Sequence, residues 1–437
     1  MSWLDFLQTK KECHVNFGRG TYAQIAKNEE ELFTKSAEAF EKKEVLDAYE
    51  YFLKSLINFN NSNSNENIII TRDEEKLDFV LFQGSAKIHG HITEESLYAE
   101  ATLVKKDLAS VALKRKALER NYQFTYINNM SDAKYIKLKL YQDNITMSPQ
   151  KVFFPLRELA LNADFDKEFI VSEFPDCALE EIDHLVPLDE HELKIKYDSL
   201  QKWIKELNEK VLTLPSNDNT GMQAFLYLNI LFKVDYLLVP RYKIYQKLSR
   251  KIQNYFSEEN AAMEAKNEEL KKYLLKLQEL SFEEFSFNFY NAKYTFSPID
   301  KSSFEEFCNF ITESLIKIRW YKNNRYTQII PTIYSYMAFY SLYNYGLNPV
   351  LKELLHTLVA IQNADFFTAL DCPSFYDTKK ESFAKRTIIQ NVDEIISKHQ
   401  ERYKALVSFS NELNFNSMNE FSYSYYQALK NLDFEEI

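Results

Sequence analysis

The sequence predicts an α+β domain followed by an all-α domain, and three observations carry that prediction. Between Asn67 and Tyr141 apolar residues recur at every second position, the period of a strand with one buried face. Before that stretch, and again within it and after it, the spacing changes to three and four residues, the period of a helix. Beyond Pro187 the two-residue period does not clearly return. Strands in a run with helices gathered to one side give α+β. A chain of 437 residues has room for two or three domains. The connector bracketed by Pro175 and Pro187 sets the boundary, with residues 1–180 as the α+β domain and 188–437 as the helical one.

Taken in order, residues 1–28 form an arm expected to pack on its own domain. From Glu29 to Phe59 the residues Leu32, Phe33, Phe40, Tyr49, Phe52, Leu53 and Leu56 keep helical spacing. The Asn/Ser run Asn58–Asn65 ends that helix, because these side chains bond their own backbone. Leu77, Phe79 and Leu81, then Ala86, Ile88 and Ile92, then Leu97, Ala99, Ala101 and Leu103 are the inward positions of three strands. Turn-like breaks at Gln83-Gly84-Ser85 and Thr93-Glu94-Glu95 make them an antiparallel meander. A helix capped by Ser110 runs to Tyr122, and Asn128–Asp132 is a break. Ile136, Leu138 and Leu140 restore the strand period, Val152-Phe153-Phe154 gives one more short strand, and Pro155 opens a helix to about Phe174. The helical half follows in segments such as Glu190–Leu212, Met222–Phe256 broken at Pro240, and Thr327–Tyr345. In the last of these, tyrosines and phenylalanines circle the helix, which marks it as central and buried.

Composition excludes more than it identifies. The net charge of -11 argues against non-specific nucleic-acid binding. Only six glycines occur, where roughly 30 would be usual at about 7% usage. No Gly-rich phosphate loop and no G-x-S-x-G elbow is present, so dinucleotide, P-loop and α/β-hydrolase chemistries are not expected, nor is any cofactor. No basic leader opens the chain, and its most apolar window, Ile329–Leu342, is too short and too polar for a bilayer, so no membrane partner is expected. Cys13, Cys177, Cys308 and Cys372 lie far apart, which fits reduced thiols and a cytoplasmic location.

The opening helix ending near Phe59, the meander Lys76–Val104, the helix Ser110–Asn121, the strand Lys134–Leu140 and the helix after Pro155 share one order of elements. That order resembles the fold of type III secretion chaperones and the YbjN-like family. The resemblance covers about residues 29–175 and rests on topology. It implies a non-catalytic, bacterial protein-binding module, often a dimer through its sheet, and it transfers no site residues.

Candidate residues gather on the outward sheet face. Val80 and Phe82 stand beside Lys87, His89, His91, Lys137 and Lys139, a face too apolar at one end for free solvent. It is expected to be covered by a second copy, the helical domain or a polypeptide client. His89 and His91, two apart on one strand, could share a metal ion if Glu100 or Tyr98 supplied a third ligand, although a solvated pair is the favoured reading. Cys13-His14 lacks a third member for nucleophilic chemistry, and His184 and His191 are expected to solvate the connector. Lys105-Lys106, Lys114–Lys116 and Arg120 read as a solvated basic face. The function expected is chaperone- or adaptor-like polypeptide binding. The alternative is an enzyme or small-ligand binder with a pocket in the aromatic helical half or at the domain junction, favoured if polar groups with shifted pKa values converge there.

Overall fold

The computed structural model describes Cys13 and residues 15–19, 27–57, 67–215 and 219–436. The N-terminal half is α+β and the C-terminal half mostly helical. Helices α1 (Lys27–Glu41) and α2 (Val45–Ser55) stand where one helix was expected. The chain reverses at Lys43, whose φ of 63° lies in the left-handed region. The charged run Glu41-Lys42-Lys43-Glu44 offers no apolar side chain to the core, so the turn costs no burial. The helical spacing survives across it because both helices face the same core.

Six strands form one antiparallel sheet: β1 (Ile68–Arg72), β2 (Lys76–Gln83), β3 (Ala86–Thr93), β4 (Ser96–Lys105), β5 (Ile127–Ser131) and β6 (Tyr135–Asp143). Their order across the sheet is β1-β2-β3-β4-β6-β5. The alternating residues Leu77, Phe79, Ile88, Ala99 and Leu138 are buried as the spacing predicts. Gly90 is needed there, because a Cβ would sit 2.0 Å from the Phe79 ring. Three boundaries differ from expectation. β1 is an extra edge strand, hidden in sequence by three successive isoleucines. β5 occupies most of the expected break Asn128–Asp132. Its inward Asn129 is polar and tied to the preceding helix, since its side-chain amide donates to Ala117 O at 2.8 Å and its backbone N–H to Asn121 Oδ1 at 2.6 Å. Val152–Phe154 is helical, lying in α4 (Pro149–Glu173), because Ser148 caps that helix and Pro149 starts it. Helix α3 (Val111–Arg120) has the Ser110 cap the sequence predicts.

The helical half contains α5 (Glu190–Leu212), α6 (Thr220–Lys233), α7 (Tyr242–Ser257), α8 (Met263–Gln278), α9 (Phe282–Ser286), α10 (Phe304–Asn323), α11 (Ile330–Asn344), α12 (Pro349–Gln362), α13 (Ala364–Ala369), α14 (Lys385–His399) and α15 (Met418–Lys430). Helix α11 is its axis, buried on all sides and packed against α6, α10, α12 and α15. Among the described residues no helix is long and apolar enough to cross a membrane.

Each half has its own hydrophobic core, and each lends a piece to the other. Phe296, from the helical half, lies in the core beneath the sheet. Cys13, Val15 and Phe17 pack on the helical core, not on the sheet domain as expected of the arm. Cys13 is disulfide-bonded to Cys372, with Cα atoms 4.6 Å apart, which corrects the expectation of reduced thiols for these two. Cys177 and Cys308 are free.

Candidate functional site

The outward sheet face that drew attention in the sequence is a closed set of charge pairs. Lys87 meets Asp183 at 3.0 Å, Lys137 meets Glu100 at 2.8 Å and Asp132 at 3.0 Å, and Lys139 reaches Glu100 at 3.6 Å. His91 Nδ1 lies 2.6 Å from Asp78, whereas His89 Nε2 lies 3.1 Å from Glu181 of the connector. The two imidazoles thus face different carboxylates, and Tyr98 donates to Glu100 at 2.5 Å. Among the described residues no group of three metal-binding side chains is found. Phe82 is 6% exposed, stacked on His184 at 5.0 Å, so it is not open to a partner. His184 therefore packs as well as solvates, with Nε2 3.0 Å from Gly84 O. The Val80 end keeps a shallow hollow of about 320 Å³ beside Ile69, His89, His91 and Tyr98. On the basic face, Arg120 pairs with Asp166 at 3.0 Å and Lys116 stands over the Phe169 ring. His14 lies outside the described residues.

A second concentration of polar groups was not visible in sequence. It lies in the helical half, under the strap 15–19, around a cavity of about 440 Å³. The strap 15–19, α5, the turn before α7, the segment 290–294, α12 and α14 all contribute to its wall. Cations dominate that wall: Arg19, Lys196, Arg241, Lys293 and Lys352 against the carboxylate of Glu353, in a chain of net charge -11.

Arg241 reaches the cavity from a strained turn. Helix α6 ends in a π-helical turn, Val234–Leu238, a distortion frequent at functional sites. Val239 then takes φ 55° and Tyr242 φ 47°, conformations that cost free energy in residues other than glycine, most of all in a β-branched one. Hydrogen bonds from several elements hold the turn. Arg241 N–H donates to Asn288 O at 2.8 Å, and Tyr242 N–H donates to Glu168 of α4 at 3.0 Å. Lys196 donates to Leu238 O at 3.0 Å. The other oxygen of Glu168 accepts a short hydrogen bond from Tyr290 Oη.

What this scaffold presents is unsatisfied. Arg241 is 7% exposed, its guanidinium 5.0 Å from the Tyr294 ring centre and 5.6 Å from that of Tyr290. Among the described residues no carboxylate pairs with it, and its Nε is buried without a hydrogen-bond partner. The hydroxyl of Tyr294, in the same wall, is likewise buried and unpartnered. Burial opposes the Arg241 charge, but Tyr294, Tyr290, Glu168 and Asp164 outweigh it and hold the guanidinium protonated. Burial and the nearby Asp164 push the Glu168 carboxyl up to about 7. Burial also pushes Lys352 down to about 8, and burial with the Lys352 charge pushes His356 down to about 4. His356 is therefore neutral near pH 7, with Nδ1 2.9 Å from Tyr236 Oη.

The chemistry available is donation. The wall offers guanidinium, ammonium and phenol donors, and aromatic faces from Phe17, Tyr236 and Tyr290. The residues come from positions 15 to 395, so no local motif marks them. The one signal in sequence was Arg241 itself, a cation directly after the apolar run Leu237-Leu238-Val239-Pro240.

A scan against protein-family models matches none of them, and a search of curated proteins finds no relative of the chain.

Proposed function

We propose that this protein binds a small anionic ligand in the cavity that the helical half forms with the strap 15–19, and does so without catalysing a reaction. The observation that carries this reading is Arg241, a buried cation in the cavity wall that has, among the described residues, no carboxylate in an ion pair with it and an unmatched Nε. A buried polar group left unsatisfied costs about 1–3 kcal/mol, and more when it is charged. An anion that accepts from the guanidinium and from Tyr294 Oη removes that cost, and a planar carboxylate or a phosphate suits the fork geometry. The test is a thermal-shift and calorimetric series with inorganic phosphate, pyrophosphate and citrate, with glycerol as the neutral control. Saturable stabilisation by at least one of these anions, lost in Arg241→Met, supports the reading. No response to any of them, or equal binding by Arg241→Met, removes it.

A second reading keeps the outward sheet face as a polypeptide-binding surface, in line with the chaperone-like resemblance. What supports it is Ile69, an apolar side chain 50% exposed at the rim of the 320 Å³ hollow. On this reading a second copy or a client covers Ile69 and Val80. Light scattering of the wild type and Ile69→Asp decides the second-copy form: identical monomeric masses end it.

A further inference from the structure

We propose that Cys13 and Cys372 form a redox site that locks one wall of the cavity, so that reducing their disulfide loosens the strap 15–19. The strap touches the helical half through a short series of contacts. Phe17 lies 4.8 Å from the Phe367 ring and 5.3 Å from His356. Gly18 N–H donates to Tyr236 O at 2.7 Å. Arg19 pairs with Asp235 and covers the Tyr245 ring at 3.5 Å. Val15, Asn16, Phe17, Gly18 and Arg19 all line the cavity, so the strap is a wall of it.

The disulfide and Phe17 engage the same small element. Cys372 follows α13, and α13 supplies Phe366 and Phe367, the rings that receive Phe17. The covalent bond therefore holds the strap at high effective concentration over its own docking groove. Without the bond, the contacts that hold the strap among the described residues are non-covalent: the Gly18 hydrogen bond, the Asn16 side chain donating to Asn291 Oδ1 at 3.3 Å, the Phe17 ring, and Arg19 with Asp235 and Tyr245. Access also differs between the two sulfurs. Cys372 is buried, whereas Cys13 is partly exposed, so the reductant is expected to enter from the Cys13 side. One thiolate of a small dithiol attacks the Cys13 sulfur and displaces the Cys372 thiolate, forming a mixed disulfide. The second thiol of the reductant then closes on the first and leaves as a cyclic disulfide. Two electrons pass to the protein, and Cys13 and Cys372 each end as a thiol.

The consequence for ligand exchange rests on the anion-binding reading, but the opening of the strap does not, and it is measured without ligand. Amide hydrogen exchange of segment 15–19 is compared in the oxidised full-length protein, after dithiothreitol, and in the double variant Cys13→Ser/Cys372→Ser. Exchange is expected to quicken about tenfold on reduction and to match in the variant, while the sheet-core amides of Ala99 and Leu140 stay unchanged. Carbethoxylation of His356 by diethyl pyrocarbonate should rise in parallel, with the partly exposed His89 as an internal standard. Exchange in 15–19 that is the same before and after reduction overturns the proposal. So does quickening that extends equally to Ala99 and Leu140, which would mean general destabilisation. Neither result bears on Arg241, whose own variant tests anion binding separately.

Discussion

The outward sheet face and the cavity under the strap both concentrate charged side chains, yet they are built on opposite principles. On the sheet, Lys87, His89, His91, Lys137 and Lys139 each stand within 3.6 Å of a carboxylate of the same chain. In the cavity wall, Arg241 is better buried than any of them and has no such partner among the described residues. Exposed or half-exposed pairs contribute little and serve mainly to keep a face hydrated. A buried cation is tolerated only if something answers it. The contrast separates charge that completes the fold from charge that waits for a ligand.

Four changes sharpen or break that contrast, from the largest effect to the smallest. Arg241→Met should weaken anion binding about 10- to 100-fold, the equivalent of a charged hydrogen bond, with little loss of stability. Calorimetric titration measures the first and urea unfolding the second; a large loss of stability would make Arg241 structural. Gly90→Ala should do the reverse. Its Cβ would meet the Phe79 ring at 2.0 Å, an overpacking worth about 1–3 kcal/mol, and anion affinity should stay unchanged.

A pH series reads the cavity directly. His356 titrates near 4 in the folded chain against an ordinary 6.5, so the unfolded state binds its proton first as pH falls. The stability it contributes is whole above about pH 6.5 and is lost between there and about 4. His356→Gln should flatten that part of the urea-unfolding profile; an unchanged profile would place the acid sensitivity elsewhere. Lys139→Ala should have the smallest effect. Its 3.6 Å pair on the sheet is worth at most about 1 kcal/mol, and neither anion affinity nor its pH dependence should move.

The parts of the fold legible in sequence are those in which one face is buried against one core. The meander was visible because Leu77 to Leu103 alternate cleanly. β5 was not, because its inward residue is Asn129, whose partners Asn121 and Ala117 are brought near by the helix before it. Val152-Phe153-Phe154 resembled a strand until Ser148 and Pro149 were seen to start a helix beneath it. The sheet residues proposed as a site did share one face, but sequence shows a side chain and not its counter-ion. Asp183 and Glu181, which answer Lys87 and His89, lie more than ninety positions away. A pocket was expected in the aromatic helical half or at the domain junction, with no residues attached to it. Arg241 stands out only as a cation after an apolar run, and nothing local distinguishes Tyr294 and Lys352 until the topology draws them together.

The exchange of Phe296 for the strap has a consequence for how the chain comes apart. Gln83 Oε1 accepts from the backbone N–H of Phe296 at 2.8 Å and of Thr295 at 3.1 Å, while the Phe296 ring fills the core under the sheet. A fragment ending near Cys177 would carry a phenylalanine-sized void and an unanswered glutamine. Each half completes its packing with a piece of the other, so the two should melt together in one cooperative transition, although sequence and core both divide them.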